Sequence, residues 1–419
     1  MRLLVIFLCV FVNMQEILVV KFGVAELSYV DELFLFFPYL LAPLVIRKRH
    51  EAWVYIILLL PIASLLYSLV ANLFAFSDFR FESAIIQSLI NFKFFLYFVL
   101  LYSANIFFKR KTFFYTKLFG LVISLSLAGY FANLLFPQFF VFSDAVWHQE
   151  RNRISGFQFK PNDLAILISF ATVYLLFCRI RIATKVVSII FLIALIFLSS
   201  SRTALLLSLL AVLIYMLMRV RLSIILPGFL VVLFGLVLFH NVLMQSFLFS
   251  ETFKNIQEFS SIQESQYIRA IMVYLGLQLA LTYFPFGVGA GNFGTVMSRG
   301  SPVYDSLGVS GSGFFENFEG VYDSNLASIA GEYGFAGIAI YLTFFIKLLF
   351  FMLPGQYLQA VILIIFAALL IAVQPLFSYQ VNSINFLLLI FALRELNAAR
   401  PRVAKLLHED SARFKHVSI

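Results

Sequence analysis

The chain contains a succession of apolar runs, each close to the length that a helix needs to cross a lipid bilayer. About 20 apolar residues span the hydrocarbon core, and a helix satisfies its own backbone groups in lipid. The sequence therefore predicts an all-α, polytopic integral membrane protein with about 12 transmembrane helices, forming a single membrane domain over residues 1–419. The predicted spans are 3–21, 30–46, 52–75, 84–107, 113–136, 163–180, 186–200, 203–218, 223–246, 323–349, 357–374 and 378–393.

The composition indicates that lipid, rather than water, surrounds most of this protein. Hydrophobic residues make up 62% of the 419 residues and charged residues only 12%, whereas soluble domains average about 25% charged residues. A soluble fold of this size would have too few polar residues to cover its outside. Cys9 and Cys178 both fall within apolar runs, so neither a disulfide framework nor a thiolate metal site is expected.

Basic residues are grouped in short clusters between the predicted spans. The clusters are Arg47–Arg49, Lys109–Lys111, Arg179 to Lys185, Arg219 to Arg221 and Arg394 to Lys415. If the chain starts in the cytoplasm, every cluster falls on the cytoplasmic side, as the positive-inside rule requires. The net charge of +9 then reflects membrane topology, and no nucleic-acid partner is expected. Both termini are predicted to be cytoplasmic, with a cytoplasmic tail at 394–419.

Two predicted exterior segments are too long to be simple connectors. They are the exterior loop 137–162 and the large exterior loop 247–322, which lies between the ninth and tenth predicted spans. Within the second, Ser265–Phe284 is predicted to be an amphipathic helix, because apolar residues recur at helical spacing. The apolar stripe contains Ile268, Met272, Leu275 and Leu279. This helix is expected either to lie flat at the membrane interface or to pack under the loop.

Arginines on the predicted exterior side depart from the positive-inside pattern, so their presence there requires an explanation. They are Arg80, Arg151, Arg153, Arg202, Arg269 and Arg299. Arg202 lies in Ser-Ser-Ser-Arg-Thr, between two predicted spans with almost no loop. Its guanidinium can bind a phosphate group, because it donates two parallel hydrogen bonds to phosphate oxygens. The alternative is that these arginines pair with nearby acids or reach the lipid headgroups. Arg80 and Arg151 lie beside acidic residues and are better explained as ordinary loop charges.

Two charged residues fall inside predicted spans. A charge within the membrane is costly unless it is paired or faces a polar cavity, so Glu16 and Lys93 are expected to face such a cavity or each other. A buried ion pair is favoured over catalysis for both.

A glycine-rich stretch lies near the end of the large exterior loop. Residues 289–294 match a dinucleotide-binding pattern, but no strand precedes them and no βαβ unit surrounds them. Gly287, Gly289 and Gly291 are therefore assigned to a tight exterior turn, for which glycine is suited.

Four stretches together resemble the superfamily of bacterial O-antigen polymerases and O-antigen ligases. They are RISGFQFKPNDLA at 153–165, LSSSRTALLLSLL at 198–210, RAIMVYLGLQLALTYFPFGVGAGNFG at 269–294 and DSNLASIAGEYGFAGIAIYLTFF at 323–345. Their order, spacing and common exterior location make the combined match specific. The resemblance implies a metal-independent, inverting transfer of a glycan from undecaprenyl diphosphate to an acceptor sugar, without a cofactor. It places the active site at the outer face of a bacterial inner membrane.

The resemblance also implies roles for individual residues. The family's diphosphate-binding arginines correspond to Arg202, Arg269 and Arg153, and we add Arg299 as a further candidate. Ligases of the family carry a histidine base where this chain has Asp323, which favours a polymerase and makes Asp323 the candidate base. Glu332 is the weaker alternative.

The expected partners are an undecaprenyl-diphosphate-linked glycan donor, a lipid-linked acceptor, the lipid bilayer and a separate chain-length regulator. A ligase of the same superfamily remains an alternative function. A non-enzymatic flippase or transporter is a second alternative.

Overall fold

The predicted all-α class is confirmed. A computed structural model of the protein describes residues 2–41, 43, 52–75, 80–107, 113–140, 154–158, 160–219, 267–311, 313–318 and 320–416. These residues are predominantly helical, and no strand occurs among them. The predicted span 223–246 and the basic cluster at 47–49 lie outside the described residues.

Fifteen helices organise the described part of the chain. They are α1 (Arg2–Phe22), α2 (Val30–Leu33), α3 (Ala52–Ala75), α4 (Phe81–Asn91), α5 (Lys93–Phe107), α6 (Phe114–Leu135), α7 (Pro161–Phe177), α8 (Ile182–Leu198), α9 (Arg202–Arg219), α10 (Ile268–Thr282), α11 (Pro302–Ser306), α12 (Gly313–Asn317), α13 (Asn325–Met352), α14 (Tyr357–Val373) and α15 (Gln380–His416).

Six described helices are long and apolar enough to cross a membrane: α1, α3, α6, α9, α13 and α15. Helices α4 and α5 form a pair bent by 49°, which makes seven if the pair is one span. The predicted count of twelve is therefore not confirmed. Helices α7, α8 and α14 have 17 residues each, or about 26 Å at the usual helical rise. The described part of the predicted span 30–46 is divided, because α2 has four residues and a 3₁₀ turn follows at Phe34–Phe36.

The centre of the bundle is built around α5. Every side chain from Phe94 to Tyr102 is buried, and aromatic rings of α5 pack against Phe345 on α13 and Phe386 and Phe391 on α15. Aromatic packing in the interior therefore holds this helix in place.

Helix α13 is interrupted at Gly334, whose φ of 62° and ψ of −157° are not helical. A β-carbon at this position would lie 2.6 Å from the carbonyl oxygen of Pro285. The interruption therefore accommodates the backbone of the segment 285–291, which belongs to the predicted exterior loop. Glycine is suited to this position because it has no side chain and readily adopts positive φ.

The backbone of segment 285–291 provides partners for the groups that the interruption leaves unpaired. The N–H groups of Val288 and Gly289 donate to the carbonyls of Gly331 and Glu332 at 2.9 and 2.8 Å. The N–H of Ala336 donates to the carbonyl of Pro285 at 3.0 Å. Buried backbone groups need such partners, so the loop and the broken helix satisfy each other.

The helix predicted in the large loop is confirmed as α10, although its exposed face is also largely apolar, with Tyr274, Leu277 and Leu281. Met272, Leu275 and Leu279 are buried, and they form an apolar cluster with residues of the large loop. It packs tightly on α13 at Gly276, where a β-carbon would lie 2.6 Å from the carbonyl oxygen of Ala327. Of the two predicted placements, the structure therefore favours packing under the loop.

Candidate functional site

Two residues singled out in the sequence form an ion pair at the start of α10 and α13. Arg269 donates from Nε and Nη2 to Oδ2 of Asp323, at 3.2 and 2.7 Å. Both side chains are accessible, with 24% and 30% of their surface exposed. The backbone of α13 begins just beyond, where the Ser324 side chain caps the helix by accepting from the Ala327 N–H. The proposed diphosphate-binding arginine and the proposed base are therefore direct neighbours.

A second charged cluster lies where α1, α7 and α15 meet. Lys160 donates from Nζ to Oε1 of Glu16 at 2.6 Å and to the hydroxyl of Tyr379 at 3.3 Å. The Tyr379 hydroxyl donates to Oδ2 of Asp163 at 2.9 Å. Lys160 also lies over the Tyr379 ring, 4.8 Å from its centre. We call Glu16, Lys160, Asp163 and Tyr379 the α7 cluster.

Local sequence explains how α7 presents this cluster. Lys160 is the residue before the helix, Pro161 occupies its first turn, and Asp163 follows in the same turn. Proline suits a helix start because its missing N–H has no intrahelical partner there, and an acid in the first turn is favoured by the helix dipole. The helix start therefore places one cation and one carboxylate within three residues.

The α7 cluster and the Arg269–Asp323 pair are linked through the start of α13 and the segment before α15. Asn325, two residues after Asp323, donates to the Ser378 hydroxyl at 2.9 Å and accepts from the Phe377 N–H at 2.6 Å. Tyr379 of the α7 cluster follows directly in the chain. Partial burial lowers the pKa of Lys160, but the carboxylates of Glu16 and Asp163 more than offset this, so its pKa lies above the ordinary value. Lys160 therefore stays protonated at neutral pH. Together the α7 cluster and the Arg269–Asp323 pair contain two cations and three carboxyl groups.

Glu332, the weaker candidate base, lies elsewhere and is fully buried. Its Oε1 accepts from the Gly291 N–H at 2.7 Å and from the Thr295 hydroxyl at 3.0 Å. Its Oε2 accepts from the Asn91 side chain at 2.6 Å. Both oxygens are therefore engaged by the protein, which favours a structural role in holding the glycine-rich segment against α4 and α13.

The glycines of the large loop form a buried turn, not the exterior turn that was predicted for them. Gly289 and Gly291 have φ of +87° and +79°, in the region that disfavours side chains. A β-carbon on Gly287 would lie 2.6 Å from the carbonyl carbon of Glu332. These positions are needed for close backbone packing, and the segment lies inside the bundle rather than forming an exterior turn.

The other predicted diphosphate-binding arginines have different placements. Arg202 begins α9 and is half-buried. Helix α8 runs back from the end of α7 to the start of α9, so α7 and α9 begin at the same end of the bundle. Arg299 is exposed on the turn after residues 296–298, and its backbone carbonyl accepts from Arg80 Nη2 at 2.8 Å. Arg153 lies outside the described residues.

The charges inside predicted spans are paired, but not with each other. Glu16 pairs with Lys160, and Lys93 pairs with Asp31 at 2.9 Å. The Lys93–Asp31 pair is almost completely buried, with 3% and 1% of the side chains exposed. The Gln15 side chain and the Tyr97 hydroxyl also donate to Asp31. The prediction of a buried ion pair is therefore confirmed for Lys93, whereas the pair formed by Glu16 is accessible to solvent.

Sequence reasoning missed Lys160, Asp163 and Tyr379. For Lys160 a signal existed, since a lysine on the predicted exterior side departs from the positive-inside pattern as much as an arginine does. Asp163 and Tyr379 are 216 residues apart in the chain, and no local pattern joins them.

This end of the bundle can bind an anionic group through Arg269 and Lys160 and accept a proton at a carboxylate beside them. No protein-family model matches the chain, and no curated protein matches it.

Proposed function

We propose that this protein is a polymerase of lipid-linked glycans in the bacterial inner membrane. It transfers a glycan from undecaprenyl diphosphate onto a lipid-linked oligosaccharide repeat unit at the outer membrane face. The observation that carries the proposal is the Arg269–Asp323 pair, which combines a phosphate-binding guanidinium with a carboxylate at an accessible end of an apolar helical bundle. The resemblance of four sequence stretches to polymerases and ligases of O-antigen supports the same assignment.

The proposed reaction is a direct displacement at the anomeric carbon of the donor sugar. The acceptor hydroxyl oxygen forms the new bond, and the bond from the anomeric carbon to the diphosphate oxygen breaks. The diphosphate leaves with the bonding electrons, and Arg269 stabilises its charge. Asp323 accepts the proton of the attacking hydroxyl as general base. Attack from the face opposite the leaving group inverts the anomeric centre.

Elongation by the purified protein tests this function directly. The protein in detergent would be given a synthetic diphosphate-linked repeat unit, and products would be separated by length. A polymerase yields a ladder of two or more repeats, which Arg269→Ala abolishes. A failure of wild-type protein to lengthen any repeat unit, across sensible substrates, would reject the proposal.

A ligase shares this chemistry and differs in its acceptor. Deleting the gene separates the two in cells, because loss of a polymerase leaves surface glycan that is one repeat long. Loss of a ligase instead leaves no attached glycan and long chains on the carrier lipid. The aspartate at position 323, where ligases of the family carry histidine, supports the polymerase.

A transporter is the second candidate function, since broken helices often form transport sites. The break in α13 and the bend between α4 and α5 meet, because Asn91 contacts Glu332 and Tyr333 across them. However, both Glu332 oxygens accept hydrogen bonds from the protein, which suits a structural junction better than a substrate site. Glycan flipping by liposomes that contain the protein, without elongation, would favour the transporter.

A further inference from the structure

We propose that Lys160 is the second cation of the diphosphate site and that Glu16 is its exchangeable counter-ion. This inference rests on the proposed function and adds to it a residue and a binding step. In the free protein Lys160 pairs with Glu16, and Arg269 pairs with Asp323. When the lipid diphosphate binds, its phosphate oxygens replace the two carboxylates as partners of the two cations.

The charge of the ligand is the first argument. A lipid diphosphate linked to a sugar carries about two negative charges, and charge-assisted hydrogen bonds to phosphate are the strong ones. Arg269 provides one positive charge. Lys160 is a second cation at the same end of α13, since Asn325 bonds to Phe377 and Ser378, and the next residue, Tyr379, contacts Lys160. One cation for each phosphate group fits the ligand.

The geometry of Lys160 is the second argument. Its side chain is 51% exposed, and that of Glu16 is 28% exposed. Ion pairs that are this accessible to solvent are weak, so a doubly charged ligand can displace Glu16 easily. The Lys93–Asp31 pair offers a contrast, because its burial makes separation of the charges costly.

The third argument is that Lys160 has neighbours other than Glu16. The ionisable groups that face it are Glu16 from α1, Asp163 from α7, Tyr379 before α15 and Tyr322 before α13. The Tyr379 ring and hydroxyl contact the ammonium, and the same hydroxyl lies within reach of Glu16 and Asp163. The contact with the Tyr379 ring does not involve Glu16, so it remains available to Lys160 when Glu16 is released.

Binding of a prenyl diphosphate without a sugar tests the inference, because it needs no turnover. The Kd of undecaprenyl diphosphate would be measured for wild-type protein, Lys160→Ala, Glu16→Gln and Lys21→Ala. Lys21 is a matched control, since it is an exposed lysine at the end of α1, beyond Glu16. We expect Lys160→Ala to weaken binding about tenfold, as loss of a charge-assisted contact does. Lys21→Ala should bind like wild type.

The effect of Glu16→Gln separates an exchangeable counter-ion from a structural tie between α1 and α7. If Glu16 competes with the ligand, removing its charge tightens binding severalfold. If the pair only holds the helices together, Glu16→Gln weakens binding or leaves it unchanged, and the inference is wrong. Should Lys160→Ala not accumulate, Lys160→Met and Glu16→Gln provide the same comparison.

Further measurements show whether a negative result rejects the inference alone or the proposed function as well. Excess phosphatidylglycerol should compete poorly with undecaprenyl diphosphate. If Lys160→Ala weakened the binding of both lipids equally, Lys160 would belong to a general headgroup site, and the inference would be wrong. If Arg269→Ala abolishes binding of undecaprenyl diphosphate while Lys160→Ala does not change it, only the inference is rejected. If wild-type protein neither binds the lipid nor elongates a glycan, the proposed function falls with it.

Discussion

At the scale of single residues, the Arg269–Asp323 pair has a geometry that a lysine cannot reproduce. Two nitrogens of one planar guanidinium reach the same carboxylate oxygen, and the same fork can reach two phosphate oxygens. The pair therefore suits a cation that exchanges a carboxylate for a phosphate without losing its orientation.

The first prediction concerns Arg269. Arg269→Ala should lower the elongation rate at least about a hundredfold, the usual range for loss of a preorganised donor, and Arg269→Lys should recover little of it. The product ladder from purified protein would measure both. Arg219→Ala, an exposed arginine at the end of α9, is the control and should elongate normally. Full activity in Arg269→Ala would remove this residue from the site.

The second prediction concerns Asp323. Asp323→Asn should reduce elongation by about a hundredfold or more, since a positioned base contributes this much. The same change should tighten binding of undecaprenyl diphosphate, because it removes the carboxylate that competes for Arg269. Asp305→Asn, an exposed acid on α11, is the control. Equal loss of binding and elongation in Asp323→Asn would point instead to a structural ion pair.

At the scale of elements, the junction between α13 and segment 285–291 depends on glycines, because a side chain at these positions would hold the two backbones apart. Gly334 opens the helix, and Gly287 allows the loop backbone to approach it. Glu332 then fixes the junction by accepting from Gly291 and Thr295. The junction therefore positions the chain between α10 and α13, the two helices whose starts carry the Arg269–Asp323 pair.

The third prediction tests this junction. Gly287→Ala should lower stability by about 1–3 kcal/mol, the usual cost of overpacking, because its β-carbon would lie 2.6 Å from the Glu332 carbonyl carbon. Gly311→Ala is a matched control in the same loop, since nothing lies within 4 Å of its β-carbon. Thermal unfolding in detergent would compare the two. Equal melting temperatures would show that the loop backbone can move away from α13.

At the scale of the whole molecule, the two ends of the bundle differ in charge. Lys160, Asp323 and Arg269 lie at the end where α7 and α13 begin. Arg179, Arg181 and Lys185 lie at the other end of α7 and the start of α8. The positive-inside rule assigns the second end to the cytoplasm, so the candidate site is expected at the exterior face.

The fourth prediction tests this orientation. Single cysteines at Ser306 and Arg181, in a background lacking Cys9 and Cys178, would be labelled in intact spheroplasts with a membrane-impermeant maleimide. We expect Ser306→Cys to react without permeabilisation and Arg181→Cys to react only after it. Both residues are exposed in the protein, so reaction of both from the same side would overturn the topology.

Prediction from sequence succeeded where structure depends on local composition. The apolar runs located α1, α3, α6, α9, α13 and α15, and the apolar stripe located α10. The predicted count of twelve spans is not confirmed, because helices of 17 residues lie at the lower limit for crossing a bilayer. Segment 30–46 has a suitable composition, yet its described part forms short helices that bring Asp31 to Lys93.

The sequence by itself determined that this chain forms apolar helices, because hydrophobicity and helical spacing are properties of neighbouring residues. It also marked Arg269 as unusual, since an arginine on the predicted exterior side departs from the positive-inside pattern, whereas Asp323 was marked only by the family resemblance. Only the tertiary structure decided the partners, because Lys160 and Glu16 are 144 residues apart and Arg269 and Asp323 are 54 apart. Such pairs form when packing brings distant helix ends together. The periodicity of the sequence does not predict which helix ends will be neighbours.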